Sequence, residues 1–78
     1  MPKLIIVNDG KVIEGKTLKD IVKYMKKRDA TLPNSVREYM IRTKDRVKLI
    51  TDKDIDITNV DTFFESLERI GLIEMLYD

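Results

Sequence analysis

The chain opens with two short apolar runs that are separated by a turn signal. The apolar run at residues 4–7 is followed by Asp9-Gly10 and then by Val12-Ile13. Asp-Gly between β-branched runs is typical of a hairpin, because glycine adopts a positive φ without steric cost. A two-residue turn at Asp9-Gly10 predicts that Val7 pairs with Val12 and that Ile6 pairs with Ile13.

Both faces of this predicted hairpin are apolar. Leu4, Ile6 and Ile13 share one face, and the opposite face holds Ile5, Val7 and Val12. One interpretation is a strand enclosed on both sides by its own protein. The other is that the second face is covered by another chain, most simply by a second copy.

Two helices are predicted in the middle of the chain. The first begins after Thr17, a good N-cap, carries apolar residues at helical spacing and ends near Arg28. The second begins at Asn34 or Ser35 and runs to about residue 51, with an apolar face formed by Val36, Met40, Thr43, Val47 and Ile50. A competing interpretation makes residues 47–51 a strand, but unbroken helical spacing favours the long helix.

A third helix and a closing strand complete the predicted fold. Thr58 with Asp61 resembles a capping box, and Gly71 is suited to end the helix. The apolar segment 72–77 then reads as a strand that joins the hairpin. We therefore expect one small α+β domain over residues 1–78. Its order is ββαααβ, with an antiparallel or mixed three-stranded sheet and the helices on one face.

Charge is divided unevenly along the chain. Residues 1–50 hold 13 Lys and Arg against 6 Asp and Glu, a net charge of +7, and residues 51–78 have a net charge of −6. A basic surface attracts polyanions, whereas an acidic surface repels them.

The absence of Cys fits a reducing cytoplasm. Apolar runs are far shorter than a membrane span requires, so we expect no membrane partner.

The residue types required for several kinds of chemistry are missing. Without His or Cys, the chain cannot form a Ser-His or Cys-His pair or a His or thiolate zinc site. None of the phosphate-binding glycine motifs is present. Asp52, Asp54 and Asp56 begin like a calcium loop, but Ile57 and Phe63 stand where Gly and Glu are required. We expect no catalytic residue, no metal and no cofactor.

Five lysines form a basic stripe along the first predicted helix. They fall within a sector of about 100° opposite its apolar face, and they are Lys16, Lys19, Lys23, Lys26 and Lys27. This stripe is either a solvated helix face or a surface that contacts phosphates. No aromatic residue lies among the lysines to stack on bases. Asp61, Glu65 and Glu68 form an acidic counterpart on the third helix, which could pair with the lysines.

These patterns favour a small non-enzymatic protein-interaction module that self-associates, as a homodimer, or that binds another protein. The alternative is an accessory protein that binds nucleic acid through the lysine stripe. If the arginines of the second helix joined the stripe in one patch, the alternative would gain support.

Overall fold

The computed structural model describes residues 2–77. Its elements follow in the order β1 (Pro2–Ile6), β2 (Val12–Glu14), α1 (Leu18–Arg28), α2 (Val36–Thr51), α3 (Val60–Ile70) and β3 (Ile73–Tyr77). The predicted ββαααβ order and the α+β class are confirmed. The long second helix is also correct, since residues 47–51 are helical.

The three strands form one open antiparallel sheet with β1 in the centre. β1 is therefore paired along both of its edges, and its consecutive apolar residues alternate between the two faces of the sheet. Leu4 on β1 lies opposite Ile13 on β2 and opposite Met75 on β3. These three side chains are buried together with the helices, so the helices cover this side, the inner face of the sheet.

The predicted hairpin register is wrong by two residues. Val12 lies opposite Ile5, and Ile13 lies opposite Leu4. The reason is a longer turn over residues 7–10, in which the Asp9 carboxylate accepts the Lys11 amide at 2.9 Å and Gly10 has φ of 73°. Because the shift is two residues, each side chain keeps its predicted face.

Local capping sets the helix ends. The Thr17 and Ser35 hydroxyls accept the amides of Asp20 and Glu38, as N-cap residues do. The third cap was predicted one residue too early. Asn59, not Thr58, caps α3 and forms the capping box with Thr62. Thr58 instead donates its hydroxyl to the Asp56 carboxylate.

Gly71 ends α3, as the sequence predicts, and the chain forms a Schellman turn there. Gly71 has φ of 93°, and the Leu72 amide donates to the Leu67 carbonyl at 3.0 Å. This turn reverses the chain into β3, which pairs with β1. The positive φ of Gly71 thus directs the chain from the end of α3 into the strand that pairs with β1.

The core lies between the inner face and the helices. Its most buried side chains are Phe63, Phe64, Leu4, Ile21 and Val22. The ring of Phe63 packs edge-on against Tyr39 of α2 with centroids 6.1 Å apart. No helix within residues 2–77 has the length and apolar character that crossing a membrane requires.

The predicted burial of Ile50 is wrong. Val47 is buried, but Ile50, one turn later on the same side of α2, is 79% exposed. Helical spacing predicts the side of a helix on which a residue lies, not whether a neighbour reaches that turn. Within the described residues, no element covers the final turn of α2.

Candidate functional site

The sheet presents its second side, the outer face, to solvent. Cross-strand register places Val12, Ile5 and Glu74 in one row and Glu14, Lys3 and Leu76 in the next. Val12 is 52% exposed, Leu76 is exposed and Ile5 is half-buried. Ile5 and Val12 are therefore neighbours on an apolar surface that no described part of the chain covers.

Val7 takes a different position from the other two residues of the predicted self-association surface. It follows the end of β1, and its amide donates to the Leu72 carbonyl at 3.2 Å. Its side chain is exposed at the start of the hairpin turn. The structure thus brings Ile5 and Val12 together and places Val7 at the border.

The outer face carries charges of both signs around its apolar centre. Lys3 forms an ion pair with Glu14 at 3.7 Å. Glu74 lies beside Ile5 on β3 and has no cation within 4 Å in residues 2–77. The outer face therefore carries one cation and two carboxylates, and a second copy of this face could form ion pairs with them.

One edge of the sheet is blocked by a side chain. Glu68 of α3 accepts the backbone amide of Met75 on β3 at 2.9 Å. In an antiparallel pair, alternate residues direct their backbone groups away from the partner strand. The Met75 amide is such a group, and Glu68 occupies the position where another strand would bind.

Four of the five predicted stripe lysines lie on α1. Lys19, Lys23 and Lys27 are exposed and Lys26 is half-buried, whereas Lys16 precedes the N-cap and is not helical. Among the described residues, none of the five has a carboxylate within 4 Å. The suggested pairing with the acidic side of α3 is therefore not present.

The arginines and Lys48 of α2 have partners of their own instead of joining the stripe. Arg42 pairs with Glu38 at 2.6 Å, and Lys48 lies 3.7 Å from Asp52 and 3.6 Å from Asp54. The Arg37 guanidinium donates to the Ile57 carbonyl. These residues add no unpaired arginine to the basic surface of α1.

Asp29 is the most constrained charged residue of the described chain. Its side chain is only 4% exposed and accepts the Thr31 hydroxyl at 2.6 Å, the Thr31 amide at 2.8 Å and Arg46 at 2.7 Å. Donation by the Thr31 hydroxyl, aided by the Thr31 amide and Arg46 and opposed by burial, lowers the pKa of Asp29 to about 2. The carboxylate fixes Arg46 of α2 beside the end of α1.

A cavity of about 340 Å³ lies next to this ion pair. It opens between the hairpin turn, the end of α1 and the middle of α2, and its lining includes Lys11, Arg28, Arg46, Tyr24 and Tyr39. Burial raises the pKa of Tyr39 above its ordinary value, so its hydroxyl is neutral. We call this space the arginine cavity.

A larger cavity, of about 480 Å³, lies where α1 and α3 begin. Thr17 and Asn59 line it, but both already cap their own helices. A third, of about 320 Å³, lies beside Ser66 and Arg69. The Ser66 hydroxyl accepts the Asp56 amide at 3.0 Å. Lys53 and Arg69 line the third cavity with Asp54 beside them, whereas three cations line the arginine cavity.

The three aspartates of the connector do not converge. Lys48 lies near Asp52 and Asp54, while donation by the Thr58 hydroxyl and amide holds the pKa of Asp56 below its ordinary value. Within residues 2–77, no group of three or more acidic side chains is placed to hold a metal ion.

Sequence patterns do not indicate the Asp29–Arg46 pair or the arginine cavity. The two residues are 17 positions apart and belong to no common period. The one local signal is Asp29 followed by Thr31, which is typical of an Asx turn after a helix.

Comparison with protein-family models, with curated proteins and with solved structures gives no match.

Proposed function

We propose that this chain is a small non-enzymatic protein-interaction module that self-associates through the outer face of its sheet. The observation that carries the proposal is the apolar pair of the exposed Val12 and the half-buried Ile5, with the exposed Leu76 in the next row of the sheet. Single exposed apolar residues are ordinary, but a contiguous apolar patch marks an interaction surface.

Size supports a second copy as the occupant. A chain of 78 residues buries only about two thirds of the surface that its unfolded form exposes, and this one has no Cys. Association of two sheets would add buried apolar area where the monomer lacks it. The charges around the patch, Lys3, Glu14 and Glu74, are of both signs, so a second copy related by a two-fold axis can offer each of them an opposite charge.

Geometry favours association by the outer face over association by the β3 edge. Because Glu68 occupies the Met75 amide, strand addition at β3 would first have to displace that carboxylate. The outer face has no comparable obstruction among the described residues.

With no Cys in the sequence, we place this association in the reducing cytoplasm.

Sedimentation velocity over a wide concentration range tests this function. We expect the parent chain to dimerise reversibly and Val12→Lys to remain monomeric, because a buried lysine opposite its own symmetry mate is repelled. Leu49→Lys is the matched control, since Leu49 is 87% exposed on α2. A parent chain that stays monomeric at millimolar concentration would contradict the proposal.

Polyanion binding by α1 is a second candidate function. Its support is that the stripe lysines have no carboxylate within 4 Å in the described residues. Lysines without base-reading neighbours contact phosphates only, so binding should be weak, independent of sequence and salt-sensitive.

Fluorescence anisotropy with labelled duplexes of several sequences tests this candidate. Lys23→Glu should strongly weaken binding at low salt, while Lys53→Glu, which makes the same charge change at an exposed lysine outside the stripe, should reduce it slightly. Equal losses in the two proteins would show that net charge, not the stripe, attracts the nucleic acid.

A further inference from the structure

We infer that the arginine cavity binds a small phosphate ester with a flat apolar group. Three cations from three separate elements line this one space: Lys11 after the hairpin turn, Arg28 at the end of α1, and Arg46 in α2. Asp9 and Asp29 also line it, which leaves a net charge of +1. Convergence of cations is the arrangement that a phosphate dianion requires.

The two carboxylates are already engaged by protein donors. Asp29 accepts from Thr31 twice and from Arg46, and Asp9 accepts the backbone amide of Lys11. Neither residue forms an ion pair with Lys11 or Arg28 in the described chain. The charged ends of Lys11 and Arg28 therefore remain available to an anion.

Arg46 is held in place, but only part of its hydrogen-bonding capacity is used. Its Nη2 atom donates to Asp29 at 2.7 Å and to Thr43 at 3.3 Å. Its Nη1 and Nε atoms have no partner among residues 2–77, and a guanidinium has five N–H donors. Asp29 thus orients a guanidinium whose other donors are unused, which is the role of a positioning residue.

The rest of the lining is apolar and aromatic. Ile6, Ile13 and Met25 contribute hydrophobic surface, and Tyr24 and Tyr39 contribute rings. The Arg28 guanidinium lies 5.5 Å from the centroid of the Tyr24 ring, which fixes both groups at one wall. Small-molecule sites combine an apolar lining with a few polar anchors, in cavities of about 300 Å³ and above.

Titration calorimetry at fixed ionic strength, with phenyl phosphate, inorganic phosphate and benzoate as probes, tests the inference. Phenyl phosphate should bind with a Kd below about 1 mM, a modest affinity of about −4 kcal/mol. Inorganic phosphate, which lacks the ring, and benzoate, which carries one charge, should each bind at least about fivefold more weakly. Benzoate that binds as tightly as phenyl phosphate would overturn the phosphate assignment.

Substitution of cavity cations that form no ion pair distinguishes binding in the cavity from attraction to the net positive charge of the protein. Lys11→Gln and Arg28→Gln should each weaken phenyl phosphate binding about tenfold, since hydrogen bonds to charged groups contribute that much. Neither side chain takes part in an ion pair in the described residues, so both variants should fold. Lys27→Gln, which removes the same charge from α1 outside the cavity, is the control and should bind like the parent.

The parent chain provides an independent readout. On addition of phenyl phosphate, amide NMR shifts should change around Tyr24, Arg28 and Arg46 and not around Lys19 or Lys23. Equal weakening by all three glutamine variants, shifts spread along the stripe lysines, or no binding at 10 mM would each overturn the inference. The cavity is not on the outer face, so loss of self-association in Val12→Lys leaves this test intact.

Discussion

The two faces of the sheet share apolar residues on β1 but differ in environment. Leu4 and Ile5 are adjacent on β1, yet Leu4 is fully buried and Ile5 is half-buried on an exposed surface. The outer face also holds the charged residues Lys3, Glu14 and Glu74, but Leu4 and Ile5 are both apolar, so their own side chains do not cause this difference. It arises because the three helices together cover one face, which shows that an apolar strand pattern predicts only that burial is favourable, not what provides it.

Alanine substitutions at these adjacent positions should give the largest contrast. Leu4→Ala opens a cavity in the core and should lower the free energy of unfolding by about 3 kcal/mol. Ile5→Ala removes part of a half-covered side chain and should lower it by about 1 kcal/mol in the monomer. Urea unfolding at low protein concentration measures both. Equal losses would mean that the outer face is packed as tightly as the inner face.

Acid should reveal the contribution of Asp29, the one buried carboxylate among residues 2–77. The pKa of Asp29 is lowered from 3.8 to about 2, so this group stabilises the fold by about 2 kcal/mol at neutral pH. Its contribution is complete above about pH 4 and is lost as the pH falls towards 2, because the unfolded chain then binds the proton more readily.

Asp29→Asn should therefore be destabilised at pH 7 and should approach the parent chain near pH 2. Thermal unfolding monitored by circular dichroism across this range measures the difference. Asp45→Asn, which removes an exposed carboxylate from α2, is the control and should follow the parent. A constant gap between Asp29→Asn and the parent at every pH would contradict the role assigned to the charge.

A substitution at the β3 edge of the sheet should have a smaller effect on stability. Glu68→Ala should free the Met75 amide and lower the free energy of unfolding by at most about 1 kcal/mol. Hydrogen exchange at that amide should become about fivefold faster. Glu65→Ala, on the same helix, should leave the Met75 amide unchanged. With the edge freed, association in Glu68→Ala that no longer depends on Val12 would indicate edge pairing.

The smallest effect on monomer stability is expected on the outer face itself. At concentrations where the parent is monomeric, Val12→Lys should change the free energy of unfolding by less than about 0.5 kcal/mol. The same variant should have the largest effect on self-association. A large loss of monomer stability would show instead that Val12 belongs to the core.

Features that depend on local sequence were predictable. The order ββαααβ follows from hydrophobic periods of two and 3.6 residues. Thr17, Ser35 and Gly71 mark helix ends through hydrogen bonds made within a few residues. The face of each hairpin residue was also correct, because a register error of two residues preserves alternation.

Features that depend on distant residues were decided only by the tertiary structure. The hairpin register depends on a four-residue turn that also binds Leu72, and the exposure of Ile50 depends on where neighbouring helices end. Asp29 meets Arg46 across two helices, and the arginine cavity exists only where three elements converge. Periodicity encodes the direction of a side chain along its own element. Its neighbours are determined by packing between elements, and no local pattern carries that information.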